Sequence, residues 1–502
     1  MADVLITHSY HLAYDPKQLR KMQPYPPLGT LYAASTLRMA GISVAVFDPT
    51  LQDPWSGFAT ALKQHSPRIV VIYEDDFHFL TKMCLTRMRE VATQLATLAQ
   101  AAGAIIVAHG SDVSDHPAEY LSKGVNYVLL GEAEDTLAEL CCTLLRKEVP
   151  GAIAGLLSSG SSGHLTASSL PRSTNPRWIT LPRPARELID LEPYRKAWSE
   201  AHGYFSINMV ASRGCPYRCN WCAKPISGNK FQLRPAELVA AEIHELKELY
   251  GVQHIWFGDD IFGLNHHWIE EFAAEVETQN AVLPFKIQSR ADLMTGPTVS
   301  ALRRAGCTEV WMGVESGSQR VLDSMDKGLK VSSVRAARKL LADADIRACY
   351  FLQFGYPGET WEDIQQTIEL VRWSRPHDVG ISFSYPLPGT VFYEQVRTQL
   401  GLKRNWTDSD DLCLMFRAAY NDQFYRALRD AVHAEVNSWR PEFSLVEEVV
   451  MPESLWRRVF ELEAVSRNSE AIELHRNSPG SNSTNTSRFV PLEHLITSST
   501  EI

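Results

Sequence analysis

The sequence has no uncharged apolar run near the ~18 residues that a membrane span needs. It also has no basic segment ahead of its first apolar stretch, Val4-Leu5-Ile6, so we expect no signal peptide and a cytoplasmic location. Lysine and arginine (49) are outnumbered by aspartate and glutamate (59), and the formal net charge is −10. This acidic composition differs from that of nucleic-acid-binding proteins, which typically have a basic surface.

Cysteine is scarce, at nine residues in 502, and the number is odd. Three of the nine fall between positions 215 and 222, and the others are scattered. This distribution is typical of a metal site in a reducing compartment and argues against a disulfide framework. The length exceeds what one core supports and predicts two or three domains.

The first 150 residues alternate short apolar runs with segments of helical periodicity. The predicted strands are Val4–Thr7, Val44–Asp48, Ile69–Tyr73, Ile105–His109 and Tyr127–Leu130. Helices are predicted around Gly29–Ala40, Ala59–Gln64, Lys82–Ala102 and Pro117–Lys123. This alternation predicts an α/β domain, doubly wound and Rossmann-like, over residues 1–150.

A second series of six strand and helix units predicts a partial barrel over residues 201–395. Its strands are predicted at Ser206–Ser212, His254–Asp259, Phe285–Ser289, Glu309–Glu315, Arg347–Phe354 and Val379–Tyr385. Its helices are predicted at Pro235–Tyr250, His267–Thr278, Thr298–Ala305, Val331–Asp343 and Thr360–Trp373.

The remaining segments differ in composition. Residues 151–200 contain Gly-Ser runs and prolines, which predict a linker with one hairpin. Residues 396–467 are expected to be helical and amphipathic, with apolar side chains such as Leu412, Met415 and Phe424 near a 3.6-residue period. The polar, low-complexity stretch within 468–502 predicts a disordered tail.

The strongest chemical signal is the run of Cys215, Cys219 and Cys222, which has the spacing C-x3-C-x2-C. Three thiolates on one short loop are suited to holding a 4Fe–4S cluster. They leave one of its four irons open, and an open iron can chelate the amino and carboxylate groups of S-adenosylmethionine (SAM). The loop follows the first predicted barrel strand, where active sites of barrels are built.

Other metal sites are less consistent with this spacing. A closed zinc site or a ferredoxin-type cluster needs a fourth Cys or His, and none stands at a suitable position. Cys307, Cys349 and Cys413 are isolated and are interpreted as structural thiols. A non-catalytic iron–sulfur or zinc-binding module stays open as an alternative of another class.

With these residues in place, the chain resembles the radical SAM superfamily. Trp221 before the last cysteine of the motif is part of the likeness. Further segments resemble the branch that carries an amino-terminal cobalamin-binding domain, which includes the anaerobic magnesium-protoporphyrin monomethyl ester cyclases and many C-methylases. These segments are Tyr25–Gly29, Gly131–Glu134, Phe257–Asp260, Gly313–Gly317 and Gly355–Thr360.

The resemblance implies roles for residues at the ends of the strands. Cys215, Cys219 and Cys222 would bind the cluster. SAM would be contacted by Asp259, Asp260, Ser289, Arg290, Glu315, Ser316, Gly355, Gly358 and Tyr385, with Trp221 beside the cluster. Gly110, Ser111, Gly131 and Glu132 would lie along the nucleotide tail of cobalamin. Each also has a plain structural interpretation, for instance a helix cap for an aspartate or a surface pair between Arg290 and Asp292.

The amino-terminal domain departs from the mutase-type motif D-x-H-x-x-G, which supplies an axial histidine to cobalamin. The corresponding segment, Thr7–Leu12, lacks the aspartate and the glycine, and offers His8 and His11. Two interpretations stay open: cobalamin binds without a protein histidine, or the cofactor is lost. The acidic loop Tyr73–His78 is unusual for a corrin-nucleotide pocket.

The resemblance implies an enzyme that receives an electron from a donor such as flavodoxin or ferredoxin and cleaves SAM to a 5'-deoxyadenosyl radical. The radical would act on an unactivated carbon of a small or lipid-like molecule. Methylation through cobalamin is favoured, and oxidative cyclisation without methyl transfer is the alternative. The tRNA methylthiotransferases are a third relative, but they need three more cysteines in the amino-terminal domain, which here offers only Cys84, Cys141 and Cys142.

Overall fold

The computed structural model describes residues 1–159, 165–167, 181–439 and 452–467. The tail predicted as disordered over 468–502 therefore lies outside the described residues. The described chain forms two mainly parallel sheets, each with its own helices. Among the described helices, none combines the length and the apolar composition that crossing a bilayer requires.

The first sheet has the order β2-β1-β3-β4-β5-β6-β7. Its strands are β1 (Val4–Thr7), β2 (Val44–Val46), β3 (Ile69–Tyr73), β4 (Ile105–His109), β5 (Tyr127–Leu129), β6 (Leu156–Ser159) and β7 (Leu165–Ala167). The first five are parallel, and β6 and β7 add an antiparallel hairpin. The strand order reverses between β1 and β3, which is where doubly wound sheets of this order bind ligands.

Helices cover both faces of this sheet because the central strands are apolar on both sides, as all five buried residues of β3 show. The helices are α1 (Pro16–Lys21), α2 (Leu28–Met39), α3 (Pro54–His65), α4 (Phe79–Lys82), α5 (Thr86–Ala101), α6 (Ser111–Asp115), α7 (Pro117–Ser122) and α8 (Glu134–Leu145). A 3₁₀ turn at Leu12–Tyr14 follows β1.

The second sheet is a parallel, six-stranded half-barrel whose strands follow one another in sequence, with β8 and β15 at its edges. In chain order the strands of this region are β8 (Ser206–Met209), β9 (Ser212–Arg213), β10 (Gln232–Leu233), β11 (His254–Phe257), β12 (Phe285–Ser289), β13 (Cys307–Glu315), β14 (Arg347–Phe354) and β15 (Asp378–Phe383). β9 and β10 form a separate antiparallel ribbon. All carboxyl ends of the six main strands face one side.

The helices of this region pack on the outside of the half-barrel or follow it. They are α9 (Glu192–His202), α10 (Ala236–Tyr250), α11 (His266–Thr278), α12 (Gly296–Ala305), α13 (Gln319–Ser324), α14 (Val331–Asp343), α15 (Trp361–Ser374), α16 (Val391–Val396), α17 (Asp422–Ser438) and α18 (Pro452–Val465). Thr360 and Asp363 form a capping box that starts α15.

Two segments differ from the sequence-based expectation. Within 151–200, the expected hairpin is present as β6 and β7, but α9 is a regular helix that buries Tyr194 and Trp198 against the half-barrel. Within 396–467, α17 and α18 are helical as expected, but the helical structure expected around Leu412 and Met415 is wrong, since residues 400–421 are irregular. Leu412 and Met415 are buried there without helical periodicity, because the segment fills a gap between the two domains.

A buried ion triad fastens the segment ahead of β8 to the half-barrel. Glu242 on α10 accepts from Arg186 at 2.8 Å and from Arg234 at 2.7 Å, and all three side chains are buried. Burial alone would raise the pKa of Glu242, but the two guanidinium groups outweigh it and lower that pKa to about 2. The spare donors of Arg186 and Arg234 reach the backbone oxygens of Asn208 and Val210, so the triad fixes the end of β8.

Candidate cluster and cofactor site

The three cysteines of the motif lie on one loop at the carboxyl end of β8, immediately after the short strand β9. Cys215, Cys219 and Cys222 are free and half-buried. Burial raises the pKa of the Cys215 thiol and raises that of Cys222 to about 12, while the nearby Lys224 ammonium opposes the shift. Protons held in this way are displaced when iron binds thiolates, so binding of metal to this loop is coupled to proton release.

The donor set fits an iron–sulfur cluster better than a single ion. Among residues 1–159, 165–167, 181–439 and 452–467, no three His, Cys, Asp or Glu side chains converge closely enough to hold one metal ion. A tetrahedral zinc site needs such convergence of its ligands. Three thiolates of a cubane instead bind three different irons, so they surround a cluster and do not meet at one point.

Lys224 organises the cysteine loop from within. Its ammonium donates to the carbonyl oxygens of Cys215, at 2.9 Å, and of Tyr217, and to the side-chain oxygen of Asn229, at 2.7 Å. One cation therefore holds the two ends of the loop together. The sequence signal for this lysine was weak, because its role depends on the loop folding back on itself.

Gly214 starts the loop in a conformation that only glycine adopts without strain. Its φ is +81°, and a Cβ atom there would collide with the carbonyl oxygen of Lys230. Gly228, in the same region, has a φ of +61°, but a Cβ atom there would meet no atom within 4 Å. Both glycines therefore need a positive φ, but only at Gly214 would an added Cβ atom collide with a neighbouring atom.

We therefore expect Gly214→Ala to impair cluster assembly much more than Gly228→Ala. Both changes carry the left-handed backbone cost of about 1–2 kcal/mol, and only Gly214→Ala adds an overpacking cost of about 1–3 kcal/mol. Iron and sulfide content after anaerobic reconstitution, with the thermal unfolding midpoint, measures the difference. Equal iron content in the two variants would show that the close approach to Lys230 does not shape the loop.

Asp259 and Asp260 follow β11, beside the start of the cysteine loop. The buried Asp259 carboxylate accepts from the Ala211 nitrogen, at 3.1 Å, and from the Ser212 hydroxyl. Burial raises the pKa of Asp259 to about 7. Asp259 thus braces the strand that leads to Cys215, whereas Asp260 is about one-third exposed and pairs with Lys82 of the first domain.

Ser289 and Arg290 follow β12 and are both buried. The Ser289 hydroxyl donates to the Phe262 oxygen at 2.7 Å. Arg290 makes a two-pronged pair with Asp292, and its guanidinium lies 3.8 Å from the ring centre of Tyr217 on the cysteine loop. The pair with Asp292 that the sequence suggested is therefore present, but it is partly buried. Through Tyr217, the cysteine loop packs against the Arg290 guanidinium of this pair.

Glu315 and Ser316 follow β13 at an irregular point of the sheet. The register of β13 and β14 shifts between Gly313 and Glu315, and Glu315 has a φ of +61°. Strained non-glycine residues of this kind cluster at functional sites. The Glu315 carboxylate accepts from the buried Lys327 ammonium at 2.8 Å, and Ser316 bonds to Thr367 of α15 at 3.1 Å.

Lys327 is a second cation that the sequence reasoning did not select. Its ammonium lies 5.9 Å from the ring centre of Trp221, and the Cys219 thiol contributes to raising its pKa together with Glu315. The indole nitrogen of Trp221 is buried without a hydrogen-bond partner among the described residues. Trp221, Glu315 and Lys327 are thus brought together beside Cys219.

Gly355, Gly358 and Tyr385 lie past the ends of β14 and β15. Both glycines have positive φ, and the Gly355 nitrogen donates to Glu359 at 2.7 Å. Burial raises the pKa of Glu359 to about 8. Tyr385 accepts from Asn405 at 3.2 Å and packs on Trp406, so the irregular segment after α16 covers it.

Several buried polar atoms at this end of the half-barrel lack a hydrogen-bond partner among the described residues. They include Gln353 Oε1 on β14, Glu359 Oε1 after it and Ser384 Oγ after β15. Native interiors satisfy nearly all such atoms, and unsatisfied ones call for a polar ligand or water. This part of the half-barrel therefore fits a polar cofactor such as SAM.

In the first domain, Gly110 and Ser111 start α6, and Gly131 and Glu132 follow β5. Gly110 has a φ of +147°, and a Cβ atom there would meet the side chain of Glu74. The Gly131 oxygen accepts from His109 at 3.1 Å, and Glu132 accepts from Gln232 of the half-barrel at 3.3 Å. These four residues lie at the carboxyl ends of two neighbouring strands, and Glu132 contacts the second domain.

The carboxylates of the acidic loop after β3 mostly accept hydrogen bonds from backbone nitrogens. Asp75 accepts from the nitrogens of Leu28 and Gly29, which start α2, and Glu74 accepts from the Ser9 nitrogen. Burial raises the pKa of both carboxyls. These carboxylates, which are unusual for a nucleotide pocket, therefore hold the start of α2 and the loop after β1 in place at the switch point of the sheet.

The two candidate axial histidines are both engaged. His8 is buried and bonds to Asp48 at 3.0 Å through Nε2, while its Nδ1 accepts from the Tyr10 nitrogen at 3.2 Å. His11 donates from Nδ1 to the Pro49 oxygen at 2.7 Å. Since both ring nitrogens of His8 are occupied, His8 does not present a free nitrogen to a metal.

A buried polar cluster nevertheless fits a ligand that bears amides. Tyr73 OH, Asp76 Oδ1 and His109 Nδ1 have no hydrogen-bond partner among the described residues. The rings of Tyr73 and His109 stack at 4.2 Å, and burial lowers the pKa of His109 to about 3, so its ring is neutral. Because Nε2 donates to Gly131, Nδ1 is a bare acceptor for a donor group such as a corrin carboxamide.

A buried ion pair joins the two domains beside the cysteine motif. Arg213, two residues before Cys215, pairs with Glu134 of α8, and the side chains are 3% and 0% exposed. The guanidinium also lies 5.1 Å from the ring centre of Phe77. The first domain thus contacts the strand that carries the cysteine loop.

Comparison with known proteins agrees with this geometry. Residues 209–371 match the model of the radical SAM superfamily, and residues 22–141 match the model of the B12 binding domain. The chain therefore carries a radical SAM domain, which is the half-barrel, and a B12 binding domain ahead of it. It is therefore an enzyme, and it has the domains for the three predicted cofactors: a 4Fe–4S cluster, SAM and cobalamin.

Two curated relatives span most of the chain. An uncharacterized methyltransferase of Pyrococcus horikoshii is 26% identical over 418 residues, which are 81% of this chain and 86% of that protein. The anaerobic magnesium-protoporphyrin IX monomethyl ester cyclase of a Synechocystis strain is 24% identical over 456 residues, which are 88% and 85% of the two chains. The predicted branch of the superfamily is confirmed.

A solved structure shows the same fold. It is the radical SAM methyltransferase TsrM from Kitasatospora setae with cobalamin and a [4Fe-4S] cluster bound, with a TM-score of 0.65 and 19% identity over 80% of this chain and 75% of that one. The predicted order, a Rossmann-like domain followed by a radical SAM half-barrel, is confirmed.

Proposed function

We propose that this protein is a cobalamin-dependent radical SAM C-methyltransferase that acts on an unactivated carbon of a small or lipid-like molecule. One observation carries the proposal: the loop of three free thiols is joined directly to the B12 binding domain through the buried pair of Arg213 and Glu134. An enzyme that uses both cofactors on one carbon needs the two domains in a fixed relation.

The residues on this face suit the binding of each cofactor. Cys215, Cys219 and Cys222 would hold the cluster and leave one iron for SAM. We propose that Asp260, with the other strand-end residues Asp259, Ser289, Arg290, Glu315, Ser316, Gly355, Gly358 and Tyr385, forms the wall around SAM, some by contact and some by bracing. Gly110, Ser111, Gly131 and Glu132 would border cobalamin, with the unsatisfied acceptor of His109 turned to its amide groups.

When bound, these cofactors supply the difficult chemistry, namely reductive cleavage of SAM and the carriage of a methyl group. The chain itself orients and encloses. Lys224 and Arg290 hold the cysteine loop, Glu315 and Lys327 fix the wall beside Cys219, and the irregular segment at Tyr385 covers the open end. Because Arg290, Glu315, Lys327 and Tyr385 are buried, they would help to keep water away from the site.

Domain limits of 1–150 for the B12-type part and 201–395 for the half-barrel are proposed on the same basis. An electron donor such as flavodoxin or ferredoxin would be needed, because each reductive cleavage of SAM consumes one electron that must come from outside the protein. The acidic balance of the chain supports a small-molecule substrate over a nucleic acid.

The fate of SAM tests the proposal. The protein is reconstituted anaerobically with iron, sulfide and cobalamin, and a chemical reductant is added. It is then incubated with the small-molecule fraction of a cell extract and with SAM that carries a trideuterated methyl group. We expect 5'-deoxyadenosine and S-adenosylhomocysteine in similar amounts, with the deuterium label in a small-molecule or lipid product.

Two other outcomes would count against methylation. Formation of 5'-deoxyadenosine and methionine without S-adenosylhomocysteine would favour an oxidative cyclase. Absence of any SAM cleavage by a protein that carries about four irons would remove the enzymatic proposal and leave an iron–sulfur module.

A further inference from the structure

Lys82 reaches from the first domain to the active face of the half-barrel. It is the last residue of α4, in the connection between β3 and α5, and its ammonium pairs with the carboxylate of Asp260. Both side chains are 31% exposed, so the pair is shielded but not sealed from solvent. It is therefore a contact between domains at the edge of the SAM wall.

Asp260 stands next to the brace of the cysteine loop. The preceding residue, Asp259, bonds to Ala211 and Ser212, and the Gly258 nitrogen donates to the Met209 oxygen at 2.9 Å. These contacts tie the end of β11 to the end of β8, from which the loop departs. Asp260 therefore directly follows the residue that braces the strand leading to Cys215.

The charges of this region are coupled. Burial alone would lower the pKa of Lys82, but the paired Asp260 carboxylate outweighs it and raises that pKa. Lys82 thus remains a cation beside Asp260 at the contact between the domains.

We propose that Lys82 is a positioning residue through which the B12 binding domain fixes Asp260 and offsets its negative charge beside the cluster. This inference rests on the proposed function, since it requires the cluster. Reduction adds an electron to the cluster, and uncompensated negative charge nearby makes that addition less favourable. The docked first domain therefore helps to set the potential at which the cluster is reduced.

A double-mutant cycle on the holoenzyme tests this inference. In Lys82→Met, Asp260 loses its partner, and we expect the ratio of reduced to oxidised cluster at a fixed potential to fall about three- to tenfold. For a one-electron couple this is a shift of about −30 to −59 mV. Asp260→Asn should shift the ratio the opposite way, and the double variant should stay close to Asp260→Asn alone, because Lys82 acts through the Asp260 carboxylate.

The measurement is a redox titration followed by electron paramagnetic resonance of the reduced cluster, without SAM. Lys196→Met is the matched control, since Lys196 is an exposed lysine on α9 whose loss also removes one positive charge, and it should leave the midpoint unchanged. An unchanged midpoint in Lys82→Met, or single effects that simply add in the double variant, would overturn the inference.

The outcome separates this inference from the proposed function. If the wild type assembles the cluster and cleaves SAM while the cycle shows no coupling, only the role of Lys82 is wrong. If the wild type assembles no cluster, the proposed function itself fails. Iron content of each variant shows whether a shifted potential belongs to an intact cluster.

Discussion

Cys219→Ala should reduce SAM cleavage to background and prevent stable assembly of the cluster. Cys219 lies between Cys215 and Cys222 on the loop, so its loss leaves two thiolates for a cube that needs three. The same result is expected for Cys215→Ala and Cys222→Ala. The measurement is iron and sulfide per chain after reconstitution, together with 5'-deoxyadenosine formed from SAM.

Cys142→Ala provides the matched control. Cys142 is also a free, half-buried cysteine, but it lies on α8, away from the motif. We expect this variant to keep the iron content and the SAM cleavage of the wild type. Loss of the cluster in Cys142→Ala, or its retention in Cys219→Ala, would contradict the assignment of the three ligands.

Glu242→Gln should strongly destabilise the half-barrel. It removes the only carboxylate of a buried triad and leaves Arg186 and Arg234 without their shared counter-charge. Breaking a buried pair by removing one partner costs about 3–5 kcal/mol. Anaerobic guanidinium unfolding should report this loss as a lower midpoint of the transition that involves the half-barrel.

Glu248→Gln controls for the loss of a glutamate from the same helix. Glu248 is exposed on α10, and surface changes of this kind shift stability by no more than about 0.5 kcal/mol. Equal midpoints for the Glu242 and Glu248 variants would show that the triad contributes little to stability.

Lowering the pH should remove the stabilisation that the same triad provides. The folded pKa of Glu242, about 2, lies below its ordinary value of 4.5. A carboxyl with a depressed pKa stabilises the fold above its ordinary pKa, and this contribution is lost as the pH falls from about 4.5 toward about 2. The Glu242→Gln variant should lack that part of the acid dependence.

Local patterns in the sequence were sufficient for most of the framework. Apolar runs of five residues between helical segments located strands such as Ile69–Tyr73 and Ile105–His109 at their observed bounds, because strands of parallel sheets are buried on both faces. The cysteine motif located the cluster loop, since its spacing is a local property. The roles of the other predicted site residues stay predictions.

Long-range contacts were beyond the sequence. Nothing near Lys82 indicates a partner 178 residues away, and Lys327 becomes notable only when its pair with Glu315 is seen. The irregular segment around Leu412 was misread as a helix because buried apolar residues are also needed where a coil fills a gap between domains. A periodic pattern of apolar residues indicates which residues are buried. In this segment they are buried by the packing of a coil, not by the packing of a helix.

The most direct test is Mössbauer spectroscopy of the reconstituted protein, without SAM and after its addition. One cube with three cysteine-bound irons and a single distinct iron whose signal changes when SAM binds is the expected result. Four equivalent irons that ignore SAM, or a chain that retains zinc and no iron, would contradict the account.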